Sequence, residues 1–493
     1  MRLLKTLPIF GFLGLALWGC DGGGRDGQGE QFFALTNSPE VVVGGLKGSV
    51  DGGVTVLVRN LDTGEERETT ASNEGSFIVT LEGAIGDTIG ISAPGVDVAV
   101  EVINVSDVSP EIRQEIMSGA VRRNLAQLGS VPTTIEIRGS RAYVLNGFSD
   151  NIQIFNLDQD PPQQIGTIVL PPGSDPVAIA FLDDTRAYIA NFIGQSVALV
   201  NVESRECEVI IAREGGDFAP CQEVIVEPGA FEEPSGVAIA NSKDYVTNSN
   251  FDDFFEPAGN GFITVINSET NEVLDLIEAT RQGTGGITTI DDKLYVVNSG
   301  DIDFDLDTEE FLCDFDSPPS IDVINPENDT IETTIPITLS EQNPLVCSPG
   351  GIEPTPDGRF GYIGLGFVGA LLKVDLENNT IVNGPSNPII VTDLSGLNFT
   401  ADVEIRNDGL GFTTLFNTDQ IAVIDTANDE LSPFPFIAPF PAGLRADDPN
   451  SQFFDGVQSL AIRTDGNFPD VFFITGLSNQ LGSIDSSLIL PPD

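Results

Sequence analysis

Residues 301–307 read DIDFDLD, which puts Asp301, Asp303, Asp305 and Asp307 on alternate positions. Carboxylates at that density are hard oxygen donors, the kind calcium takes. The loop does not follow the EF-hand pattern, because the sixth position counted from Asp303 is Thr308, not glycine. Alternation instead suits a strand, where next-but-one side chains stand ~7 Å apart, too far for one ion unless the loop curls. The chain contains no histidine. That excludes Ser-His-Asp and Cys-His catalysis and histidine-ligated zinc, copper and haem. A metal-assisted hydrolytic site would have to draw on carboxylates. Asp175, Glu353 and Asp402, near expected strand starts, are the acids a hydrolytic site would draw on, with calcium the one cofactor such a set suggests. No motif supports redox chemistry with a quinone or haem partner.

The cysteines divide into one and four. Cys20 closes the run Leu17-Trp18-Gly19-Cys20, behind Arg2, Lys5 and a short apolar stretch from Leu7 to Trp18. That stretch is too short to span a bilayer comfortably. The run resembles a bacterial lipobox, which implies a signal peptide over 1–19, a lipidated Cys20 and an exported, membrane-anchored protein of the cell envelope, periplasmic or surface-facing. Residues 20–34 read as a flexible tether. Cys207, Cys221, Cys313 and Cys347 are then an even set in an oxidising compartment, where disulfides form. A hairpin centred at residue 214 would set Cys207 opposite Cys221. Cys313 and Cys347 pair by neighbourhood.

Charge narrows the partners. With 22 Lys+Arg against 75 Asp+Glu the net charge is −53, and loss of 1–19 removes two cations and no acid. Such a surface repels nucleic acid and anionic headgroups. An unidentified protein or glycan of the envelope, and the membrane through the lipid, remain as partners.

The elements that position these residues repeat. AYVLN, AYIAN, DYVTN, LYVVN, GYIGL, GFTTL and FFITG carry Tyr143, Tyr188, Tyr245, Tyr295, Tyr362, Phe412 and Phe473. A short apolar run and a polar turn precede each. A second strand ending in Asn or Asp follows, at Asn156, Asn201, Asn267, Asn325, Asp375, Asp425 and Asp485. Each unit reads as a small antiparallel sheet that cannot cover both of its faces alone, and seven stacked radially can. The expected fold is all-β, a seven-bladed β-propeller over 128–493. Tyr245-Val246-Thr247-Asn248 resembles the name-giving tetrapeptide of YVTN-repeat propellers. That resemblance implies the fold, and leaves lactonase-like enzymes, dehydrogenase subunits and binding proteins all open. Ahead of it, 35–105 alternates like a small β-sandwich and resembles Ig-like and carboxypeptidase-regulatory-like modules. A helix is expected over 106–127, capped by Ser109 with Pro110 in its first turn.

Because blade strands alternate in direction, the long segments 213–234, 249–260, 299–319, 383–400 and 432–456 fall on one face, and the short turns on the other. Function sits in loops on a rigid scaffold, so this face is the expected binding surface. It carries Phe251, Phe254 and Phe255, which can fold over Phe304, Phe311 and Phe315 as a cap or meet another molecule. A non-catalytic binding or scaffold role is the first reading, and a calcium-assisted lactonase or hydrolase in the central funnel is the alternative.

Overall fold

The computed structural model describes residues 32–486 except 37–39, 46–48, 72–76, 105–119, 214, 217, 252–257, 306–309, 393–398, 432–439, 444–453 and 468. The chain divides into two units, 1–108 and 109–493. No described helix is long and apolar enough to cross a membrane.

In the first unit the alternation makes strands. In Thr55–Asn60 the Val56 and Val58 side chains are buried, while Thr55 and Arg59 face water. The following turn is held by Asn60, whose Oδ1 accepts the N–H groups of Asp62 and Thr63, and by Gly64 at φ +82°. Such a left-handed position suits glycine. One sheet runs in the order Phe77–Glu82, Glu40–Gly45, Phe32–Thr36, Ile103–Asn104; the other runs Glu66–Thr70, Thr55–Asn60, Thr88–Ala93, Val96–Glu101. Val41, Val43, Val56, Val58, Ile89 and Ile91 join both sheets in one core. The first strand begins at Phe32, so the tether expected over 20–34 ends earlier than the composition implied.

Among the described residues the second unit has seven larger sheets, antiparallel but for one parallel strand pair, each built mainly of strands consecutive in the chain. Each repeat aromatic lies in the second strand of its own sheet. The first strands are Pro132–Arg138, Pro176–Phe181, Pro234–Ala240, Thr284–Ile290, Pro349–Pro354, Val403–Ile405 and Val457–Ile462. Each touches the next, and the last touches the first, so these inner strands stand around a common axis. The seventh sheet takes its outer strand from the front of the unit: Val121–Gln127 pairs antiparallel with Gln480–Ile484. This corrects the linker helix expected over 106–127. Residues 105–119 lie outside the described residues, and 121–127 are strand because they pair along the edge of Gln480–Ile484 in the seventh sheet.

The aromatics join neighbouring sheets. Tyr188 Oη donates to Asn271 Oδ1 at 2.7 Å, and Tyr245 Oη to Asp329 Oδ1 at 2.6 Å. Tyr295 Oη donates to the Leu376 carbonyl, and Tyr362 Oη to Asp429. Each acceptor lies in or next to the turn between third and fourth strands of the following sheet. Thr247 crosses the same seam by donating to the Gly285 carbonyl, and buried Asn248 is tied to Thr264 and the Val246 carbonyl. The YVTN tetrapeptide is thus a seam fastener, with each buried polar atom answered as burial demands.

The cysteines form Cys207–Cys221 and Cys313–Cys347 disulfides, with Cα separations of 4.9 and 5.9 Å. The hairpin expected at residue 214 is not what brings the first pair together. Glu206–Ala212 and Gln222–Ile225 run parallel, Val209 opposite Gln222. The intervening chain returns to its starting edge through the turn closed by the Cys221 N–H and the Phe218 carbonyl.

Candidate functional site

Two features converge on the axis. The first is a level of side chains set by register. The residue paired with the repeat aromatic is Glu136, Ala180, Ala238, Thr288, Glu353, Glu404 and Leu460 in successive sheets. Acids occupy three of these inner positions, and Asp402 stands two residues before Glu404. A cavity of about 210 Å³ is lined by Gly236, Gly286, Gly351, Glu353, Asp402 and Glu404, among others. The glycines permit close approach: a Cβ on Gly286 would lie 2.5 Å from the Gly351 Cα.

These half-buried acids hold protons abnormally well. Burial pushes Glu136 up to about 7, against the pull of Arg138 and with the charge of Asp402 adding. Burial and then the charges of Asp402 and Glu136 push Glu353 up to about 8. Asp402 rises to about 6 through burial, opposed by the Leu460 N–H, the Ser459 hydroxyl and the Val403 N–H. Glu404 is raised well above the ordinary range by burial and by Glu353, Asp402 and Glu136. Desolvation and like charge act together here. The arrangement can hold and exchange protons near neutral pH. Among the described residues no group of three or more His, Cys, Asp or Glu is placed to hold a metal ion.

The second feature is a rim at the end of the axis where the insertions emerge. Six inner strands are preceded by a residue at positive φ: Val131, Asp175, Glu233, Gly283, Ser348 and Gly456. Their carbonyls accept the N–H groups of Gly147, Phe192, Ser249, Ser299, Gly366 and Gly476, at the start of each loop between second and third strands. Val131 is β-branched, so its left-handed backbone persists only because these bonds hold it. The device fixes those loops, and the loops carry apolar side chains. Phe148 is 67% exposed, Ile193 55% and Leu477 53%, in the first, second and seventh sheets. Phe367, Phe399, Phe416 and Phe454 continue the band, with ring centroids 5.9, 6.0 and 5.8 Å apart in succession. A Cβ on Gly456 would meet both the Phe416 ring and Leu477, so the two stretches adjoin.

Of the acids named from sequence, Glu353 and Asp402 reach the axial cavity, and Asp175 lies at the rim. Glu136 and Glu404 were missed. Their signal was the position opposite the repeat aromatic, which strand pairing defines. Asp303 and Asp305 lie in the strand Ile302–Asp305, antiparallel to Glu310–Cys313. Asp301 lies just before it, and Asp307 is outside the described residues. Phe251 is half-buried, its N–H bound to Glu233. Phe254 and Phe255, like Cys20, are outside the described residues. Phe315, offered as a partner for the cap, is 48% exposed.

No family model matches the chain, and no curated protein does. Solved structures do. A hydrazine synthase chain from Kuenenia stuttgartiensis aligns at 14% identity and TM-score 0.52, covering 73% of this chain and 96% of that one. A catalytically inactive virginiamycin B lyase from Staphylococcus aureus, carrying a histidine-to-alanine substitution and solved with quinupristin, aligns at 12% and 0.51, covering 74% and 98%. The WD40 repeats of RRP9 align at 11% and 0.50, covering 74% and 97%. At such identities the likeness shows fold alone. The fold is all-β and propeller-like.

Proposed function

We propose that the chain is a lipid-anchored binding protein of the bacterial cell envelope. In this reading the second unit is a seven-bladed, YVTN-type β-propeller, preceded in the chain by an Ig-like sandwich, and its insertion-bearing face engages a protein or glycan partner. The observation that carries the reading is the rim. Exposed apolar patches are costly in water and mark interaction sites, and this one stands on loops fixed by a repeated backbone device. Covalent footprinting tests it. Phe148, Ile193 and Leu477 should label less in intact cells than in purified protein, while Asp184 and Asp292 on the opposite face should label equally. Equal labelling of all five in both states rejects a partner on this face. The anchor has its own check: Cys20→Ser should move the protein to the soluble fraction, and continued pelleting with membranes rejects lipidation.

The axial carboxylates favour a second reading, a hydrolase in the funnel. Raised carboxyl groups beside ionised ones supply a general acid and a general base near neutral pH. The lyase's chemistry is not carried over, because its inactive form lacks a histidine and this chain has none. A calcium-assisted mechanism would need ligands beyond those grouped among the described residues. Turnover of lactones or esters that disappears in both Glu353→Gln and Glu404→Gln would establish the hydrolase, and turnover unchanged in both would remove it.

A further inference from the structure

The apolar rim has an electrostatic companion at the boundary of the first and second sheets. Phe148 and Asp150 belong to the loop 147–150, and Ile193 to the loop starting at Phe192. Asp175 lies between them. Its carbonyl accepts the Phe192 N–H at 3.0 Å, and a Cβ on Gly147 would meet its Oδ1 at 2.4 Å. Asp150 accepts the N–H groups of Gly173 and Asp175 at 2.8 and 3.0 Å. No described side chain donates to the Asp175 carboxylate, whose pKa is raised by burial and by the Asp150 charge. Two carboxylates thus stand between two exposed apolar side chains. The described cation Arg213, on the segment between the second and third sheets, is already held by Glu232.

We infer that the rim's occupant is a polypeptide segment that alternates apolar with lysine or arginine side chains, its cation seated at Asp150 and Asp175 and its apolar groups on Phe148 and Ile193. This rests on the binding-face reading and names the partner's chemistry. Charge complementarity selects it. An anionic segment would meet the field of a chain at −53, and an uncharged one would leave the Asp175 carboxylate beside Asp150 with no compensating charge. A cation over Phe148 also gains from the ring's quadrupole.

The test uses the mature chain with Cys20→Ser and a fluorescent peptide of alternating leucine and lysine. Anisotropy is read in about 0.3 M NaCl, where distant surface charge is screened. The lysine peptide should bind, and the same peptide with glutamate for lysine should not. Asp150→Asn/Asp175→Asn and Phe148→Ser/Ile193→Ser should each weaken binding about tenfold, the scale for losing a desolvated charge partner or an apolar anchor. Asp184→Asn/Asp292→Asn, on the opposite face, should change it less than about twofold. If a double variant fails to fold, Asp175→Asn alone should still weaken binding severalfold. Equal losses from the two faces would reduce the effect to bulk polyanion attraction and overturn the inference. So would equal binding of the glutamate peptide, or no binding of either. Rim protection in cells with no lysine-peptide binding would overturn the cationic partner and leave the binding face standing. Loss of both would overturn the face itself.

Discussion

Asp244, the residue just before Tyr245, is fully buried in the strand Lys243–Asn248. Its Oδ1 accepts the Ser268 hydroxyl at 3.1 Å, and its Oδ2 has no partner in hydrogen-bonding geometry. Burial pushes its pKa up to about 7, although Ser268 and Tyr188 pull the other way. The folded state therefore binds a proton that the unfolded state releases near 3.8. Below that value both states are protonated and the group is neutral for stability. Between about 4 and 7 the unfolded chain ionises first, so stability falls as pH rises. Above 7 both are ionised and the penalty is constant. About 3 pH steps at 1.36 kcal/mol each make it about 4 kcal/mol. Asp244→Asn removes the ionisation and keeps an acceptor for Ser268. Its new amide costs about 1–2 kcal/mol if it finds no acceptor. The variant should thus be slightly less stable than wild type at pH 4 and more stable at pH 8. The difference between them should move by about 4 kcal/mol across the window and be flat above it. Urea unfolding of both proteins through that range reads this directly, since the other acids cancel in the difference. A difference independent of pH would refute the buried, protonated Asp244 and the seam geometry behind it.

Tyr245→Phe should cost about 1–2 kcal/mol in urea unfolding, because only the hydroxyl bonds to Asp329 and the Pro326 carbonyl are lost; no change would deny the seam role. Cys207→Ala/Cys221→Ala should lose about 3 kcal/mol, the chain-entropy scale for a sequence separation of 14, and a free thiol at either position in non-reducing peptide maps of the wild type would contradict the bridge. Asp402→Asn takes away the negative charge that, after burial, most raises Glu353, whose pKa stands at about 8. Carboxyl infrared titration should show the Glu353 value falling by about one pH unit, and an unmoved value would mean the axial acids do not face one another.

The repeat was legible because its signal is local. Tyr143 through Phe473 each sit in the second strand of a sheet, and the pattern of aromatic, turn and polar strand end recurs within a few dozen residues. What failed depended on partners far away in sequence. Val121–Gln127 carries apolar residues that fit a helical face, and only the unpaired edge of Gln480–Ile484, more than 350 residues on, makes it a strand. The pairing of Cys207 with Cys221 was right for a reason that was wrong: chain proximity was readable, but the parallel return was not. Glu136 and Glu404 look like ordinary alternating strand acids until register sets them opposite Tyr143 and Phe412 at one level. The rim was half visible. The loading of insertions on one face followed from strand direction, while the exposure of Phe148, Ile193 and Leu477 depends on the loops that hold them.

The claim that the insertion-bearing face meets a partner is tested most directly by placing a photo-crosslinking amino acid at Phe148, Ile193 or Leu477 of the full-length protein and irradiating living cells. The account predicts a discrete higher-mass adduct from these positions and none from Asp184 or Asp292. Adducts absent from the rim, or formed equally from both faces, would contradict it.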